Sequence, residues 1–84
     1  MYAVRLLPKA RKELLRLPRG HQERLGSAID ALCENPFVGK KLEGKFQGAW
    51  TLRAWPYRII YTIDRQIVTV TVLHIGHRQG VYRK

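Results

Sequence analysis

Two arginines, Arg53 and Arg58, flank the short run "AWPY" (residues 54–57). The stretches around them, "AWTLRA" (49–54) and "YRIIYTI" (57–63), are rich in β-branched and aromatic residues and read as strands. A joint that short allows only an antiparallel hairpin. A symmetric turn sets Leu52 against Ile59 and Trp50 against Tyr61 on one face. Arg53 then faces Arg58, and Thr51 faces Ile60, on the other. Two arginines directly opposed repel each other unless an anion joins them. A guanidinium stays charged and grips two oxygens at once, so the pair suits a phosphodiester.

A second cluster closes the chain in "LHIGHRQGVYRK" (73–84). A strand-like apolar start ends at Gly76, which permits a backbone turn. His77, Arg78, Tyr82, Arg83 and Lys84 follow. If this last strand lies beside the one bearing Arg58, its exit brings His77, Arg78 and Tyr82 towards the arginine face. Arg78 adds a forked donor, Tyr82 an aromatic plane for a base, and His77 a group that exchanges protons near neutrality. These are the parts of an RNA site. His74 alternates onto the core side and reads as a satisfied core histidine, and His21 reads as a surface residue.

The remaining elements must mount these groups. "YAVRLL" (2–7) reads as an opening strand, and Pro8 starts a helix with Ala10, Leu14, Leu15 and Leu17 on one side. Pro18 closes it. "HQERLGSAIDALCEN" (21–35) places Leu25, Ala28, Ile29, Leu32 and Cys33 at the spacing of a buried helical stripe, ended by Asn35-Pro36. "FVGKKLEGKFQG" (37–48) reads as a basic loop. Its Lys40, Lys41 and Lys45, with Arg83 and Lys84 at the end of the chain, are candidates for contacts to an RNA backbone; a merely solvated loop is the alternative.

A third β-run, "IVTVTVLHI" (67–75), completes the sheet. A turn at Asp64-Arg65 puts Val68, Val70 and Val72 on the Trp50 face, Thr69 and Thr71 on the arginine face, and Arg58 across from Thr71. The whole predicts one α+β domain over residues 1–84, ordered β-α-α-β-β-β. A helical hairpin covers one face of a mainly antiparallel four-stranded sheet.

Charge narrows the partners. Sixteen Lys and Arg against six Asp and Glu give a formal net charge of +10, and residues 40–84 hold nine basic residues against two acidic. Such a field repels itself and suits an acidic partner, nucleic acid first and an acidic protein second. No long amphipathic basic helix suggests a membrane surface. The single cysteine, Cys33, excludes an internal disulfide, and no HExxH or CxxC spacing suggests a metal site. No cofactor is expected. Without a long apolar run or a signal-like start, the expected location is the cytoplasm.

The run "LEGKFQGAWTLRAWPYRIIYTIDRQIVTVTVLHIGHRQGVYR" (42–83) resembles the C-terminal half of the RelE/ParE superfamily of bacterial and archaeal toxins. The shared pattern is a Leu-x-Gly segment, a strand with a basic residue, a "YR-x-x-Y" strand and a closing "GHR…VYR". The preceding β-α-α order fits as well. In the RelE branch the resemblance implies a ribosome-dependent endoribonuclease that needs no metal and cuts translated mRNA in the A site. There the 2′-hydroxyl attacks the adjacent phosphate. The family's functional positions match Arg53, Arg58, Arg78 and Tyr82; His77 is a candidate by its chemistry alone. The resemblance also implies a cognate antitoxin, an acidic or amphipathic helical protein, bound in a hetero-oligomer. Trp55, Val81 and the outer side of the helical hairpin are the expected docking points. Thr51 departs from the pattern, because some members carry a lysine two places before the Arg53 position. The ParE branch, which inhibits DNA gyrase by binding, is the alternative.

Overall fold

Residues 1–77 are described in a computed structural model, beginning with the strand β1 (Ala3–Leu6). Pro8 then opens the helix α1 (Pro8–Leu15), where its fixed φ suits a first turn and its missing N–H goes unneeded. Pro18 caps the second helix, α2 (Arg19–Glu34), its carbonyl accepting from the amides of His21 and Gln22. The Gln22 side chain reaches back to the Leu17 carbonyl at 2.8 Å and ties the two helices at their joint. Four further strands follow: β2 (Lys40–Lys41), β3 (Trp50–Ala54), β4 (Tyr57–Asp64) and β5 (Thr69–His77). Single turns of 3-10 helix occupy Pro36–Val38 and Gly44–Phe46.

The sheet has five strands in the order β1-β5-β4-β3-β2, with β1 parallel to β5 and the other neighbours antiparallel. The expected four-strand count therefore gains one, because the "FVGKKLEGKFQG" segment is not a plain loop. Its lysines form the edge strand β2, closed by a hydrogen bond from the Leu42 amide to the Ala49 carbonyl.

Both helices pack on one face, over a core of Ala10, Leu25, Leu32, Ile59, Tyr61, Val70, Val72 and Ile75. Leu15, expected to face inward, is 62% exposed. Ala10 and Leu14 share the inward side at i, i+4, which turns Leu15 about 100° away from it. A smaller apolar group, Ala49 and Ile60 with Leu42 and Leu73, sits apart from this core. Among the described residues no helix is long and apolar enough to cross a membrane.

The β3–β4 register is the expected one: Trp50 faces Tyr61, Leu52 faces Ile59 and Arg53 faces Arg58. The β4–β5 register differs. The Asp64 carboxylate accepts from the amides of Gln66 and Ile67, which widens the expected tight turn so that Thr69 pairs with Asp64. Val68 lies in that turn at φ +51° and is exposed, not in the core.

Further along, Val72 faces Tyr61 but His74 faces Ile60, so Leu73 is a bulge residue. The extra residue inverts the alternation of everything after it. Ile75 takes the core position, and His74 leaves the core face to meet Glu13 of α1. Gly76, not Thr71, stands across from Arg58, and His77 stands across from Tyr57.

Candidate nucleic-acid interface

Arg53 and Arg58 are held by the ends of β3 and β4 nearest their turn, on the face away from the helices. Trp55 and Pro56 make that turn, and Arg24 of α2 donates to the Trp55 carbonyl at 2.9 Å. The turn is thereby anchored to the helical layer. Arg58 has Arg53 opposite it on one side and Gly76 on the other. A glycine there leaves the flank of the Arg58 side chain clear of any Cβ.

The two arginines line a groove of about 500 Å³ together with Val38, Gly39, Lys40 and Thr51. No carboxylate lines it among the described residues. Four basic residues, Lys40, Lys41, Arg53 and Arg58, thus line one groove, an arrangement suited to an anion with several oxygens. Thr51 lies in this groove 4% exposed, and its Oγ1 is buried with no hydrogen-bond partner among the described residues. An unmatched buried hydroxyl is rare and unfavourable unless a ligand completes it.

Behind the groove, the Tyr61 hydroxyl donates to the Pro36 carbonyl at 2.7 Å. Burial pushes the Tyr61 phenol above its ordinary value, while a backbone hydrogen bond at Gly39 pulls the other way. Gly39 is required where it stands: a Cβ would overlap the Tyr61 hydroxyl and the Thr51 carbonyl.

The remaining expected residues fall in different places. Lys41 alternates to the other face, with its ammonium 5.8 Å from the centre of the Trp50 ring. Lys45 lies on the Gly44–Phe46 turn, outside the groove lining. The expected convergence of His77 with the arginines is corrected. The Leu73 bulge turns His77 to the Tyr57 side, where the two rings meet edge to face at 6.1 Å. Tyr57 in turn lies 2.9 Å through its hydroxyl from Nδ1 of His21, so His21 is half-buried and engaged instead of a plain surface residue. His74 brings Nδ1 to 2.7 Å from a Glu13 carboxylate oxygen, so it stands against α1 and not within the core. Arg78, Val81, Tyr82, Arg83 and Lys84 lie outside the described residues.

Sequence reasoning placed Thr51 on the arginine face without assigning it to the site, and it missed Gly39. The available signal was the pair of apolar residues Leu42 and Ala49 bracketing a Gly-rich turn, which marks a short hairpin and so assigns Lys40 to a strand.

A family model described as "ParE toxin of type II toxin-antitoxin system, parDE" matches residues 4–82. The chain belongs to the RelE/ParE superfamily of toxins. Among curated relatives, Toxin RelG of Mycobacterium tuberculosis is 35% identical over 85 residues, covering 99% of this chain and 98% of the relative. Toxin RelE of the same organism is 32% identical over 88 residues, covering 98% and 87%. Among solved structures, the toxin-antitoxin complex RelBE2 from M. tuberculosis superposes with a TM-score of 0.85 at 34% identity, covering 92% of this chain and 98% of that one. The isolated E. coli RelE toxin gives 0.78 at 26% identity, covering 92% and 84%. The RelE/ParE domain here is thus a toxin of the type II toxin-antitoxin class, with RelE-named relatives spanning its full length.

Proposed function

We propose that this toxin is a ribosome-dependent endoribonuclease that cleaves translated mRNA in the A site. The observation that carries the reading is the Arg53–Arg58 cross-strand pair in a groove with no acidic lining among the described residues. In the reaction the 2′-oxygen forms a bond to phosphorus and the bond from phosphorus to the 5′-oxygen breaks. The products are a 2′,3′-cyclic phosphate and a free 5′-hydroxyl. The attacking hydroxyl loses a proton to a base and the leaving oxygen gains one, with no redox change. Arg53 and Arg58 hold the non-bridging oxygens and stabilise the charge that builds there. Because both guanidiniums are permanent charges, this stabilisation does not depend on a metal ion. Arg78 is assigned to the transition state or the leaving oxygen, and Tyr82 to stacking on a base or to proton transfer. His77 is on the opposite face from the arginines and, as an acid or base, has to act around the sheet end.

The partners follow the same reading. A cognate antitoxin neutralises the toxin, supported by the toxin-antitoxin complexes among the similar structures and by a net charge of +10 that suits an acidic or amphipathic binder. The ribosome presents the message, and the toxin works in the cytoplasm.

The test is cell-free translation with purified toxin and primer extension on the message, with and without ribosomes. Cuts that appear only on translated mRNA are expected. Intact message with continued growth arrest in cells sinks the nuclease reading. It would favour the second one, a ParE-like toxin that inhibits DNA gyrase by binding. Two observations lean that way: Thr51 stands where some members carry lysine, and the one histidine that the register puts on the arginine side among the described residues, His74, is engaged by Glu13.

A further inference from the structure

Three lysines of similar appearance in the sequence are separated by the fold. Lys40 pairs with Thr51, on the arginine face; Lys41 also lines the groove but carries its ammonium to the Trp50 ring, and Lys45 sits beyond the groove lining. Directly opposed residues in an antiparallel pair bring their Cβ atoms to about 5 Å, and diagonal neighbours to about 7–8 Å. Arg53 is the diagonal neighbour of Lys40 across the β2–β3 ladder. A lysine side chain is long enough to bring its ammonium within one phosphate's width of the Arg53 guanidinium.

The backbone that carries Lys40 is held in place. Gly39 is wedged against the Tyr61 hydroxyl and the Thr51 carbonyl, Tyr61 grips the Pro36 carbonyl, and Leu42 bonds to Ala49. A flexible surface lysine needs no such mount. Beneath it the Thr51 hydroxyl is buried with no partner among the described residues.

We infer that Lys40 is a substrate-contacting residue of this site, gripping a phosphodiester oxygen together with Arg53. It supplies from the neighbouring strand the cation that position 51 lacks. This rests on the nuclease reading above and adds a residue to it.

The experiment compares wild type, Lys40→Ala, Lys40→Arg and Lys9→Ala in the translation-coupled cleavage assay over a range of salt concentrations. Thermal melts confirm that each variant folds. Lys40→Ala is expected to cut about 10- to 100-fold more slowly, short of the ~10²- to 10³-fold cost of losing a donor aimed at the developing charge. Its salt dependence should flatten by about 0.7 in logarithmic slope, as for one lost phosphate contact on a single strand. Lys40→Arg should recover most of the rate, because it restores the charge. Lys9→Ala removes the same charge from α1 and should cut within about twofold of wild type, as expected for a surface change. Wild-type cleavage and salt slope in Lys40→Ala overturn the inference while leaving the nuclease reading standing. If wild type itself leaves translated message intact, the nuclease reading fails, and the assignment of Lys40 falls with it.

Discussion

The Tyr61 hydroxyl and the Pro36 carbonyl, 2.7 Å apart, join the centre of the sheet to the chain entering its edge strand. Tyr61 is fully buried, so this bond has no water to replace it. Tyr61→Phe is expected to lower stability by about 1–2 kcal/mol, read as a fall in denaturation midpoint. The pH dependence follows from the raised phenol. Unfolded chains release this proton near the ordinary value of 10.0, whereas the native state retains it. Above that pH the unfolded state binds fewer protons, so stability falls as pH rises. Melts between about pH 8 and 11 should show a steeper alkaline loss for wild type than for Tyr61→Phe.

Gly39→Ala forces a methyl group against the Tyr61 hydroxyl and the Thr51 carbonyl. Overpacking of this kind costs about 1–3 kcal/mol. The shift also displaces Lys40 from the groove. Both a lower melting temperature and slower cleavage are expected, and an unchanged melt would show that β2 is not held as described.

Glu13 seals an open stretch of β5. One carboxylate oxygen accepts the Ile75 amide at 2.8 Å and the other lies 2.7 Å from Nδ1 of His74. Glu13→Ala should lower stability by about 1–3 kcal/mol, since it strips a charged acceptor from a part-buried amide. Glu13→Gln should keep more of it, because the amide oxygen still accepts. Hydrogen exchange at Ile75 is the direct readout, faster in Glu13→Ala than in Glu13→Gln.

Arg53 and Arg58, opposed across β3 and β4, are the pair on which the proposed cleavage rests. Arg53→Ala should reduce cleavage by about 10²- to 10³-fold, the effect of removing one charge-stabilising donor. It should leave stability unchanged or raise it by a few tenths of a kcal/mol, because like charges opposed on a sheet repel (~0.2–1 kcal/mol per pair). Arg58→Ala is expected to abolish cleavage likewise while the fold persists. Cleavage at the wild-type rate in either variant removes the pair from the site.

Val68 carries a β-branched side chain at φ +51°, a region that L-residues other than glycine, asparagine and aspartate avoid. Val68→Asn should raise stability by about 1 kcal/mol, since it relieves left-handed backbone strain at an exposed turn. A chemical denaturation curve with an unchanged midpoint would contradict the strained turn.

The hairpin that opposes Arg53 to Arg58 could be read from residues 49–63 alone. Its register is local: two turn residues leave one pairing that keeps Trp50, Leu52, Ile59 and Tyr61 together on a buried face. The helical order came from proline boundaries and apolar spacing, which are local as well. What the chain did not declare was non-local. Lys40 became part of a strand only because Thr51 and Tyr61 lay ready to receive Gly39 and its neighbours. The Leu73 bulge followed from core packing, which accepts Ile75 and not His74 at the inward position. That single inserted residue turned His77 away from the arginines and set Gly76 beside Arg58. Alternation along a strand is written in the sequence, but its phase is decided by which side chain the core on the far side can hold.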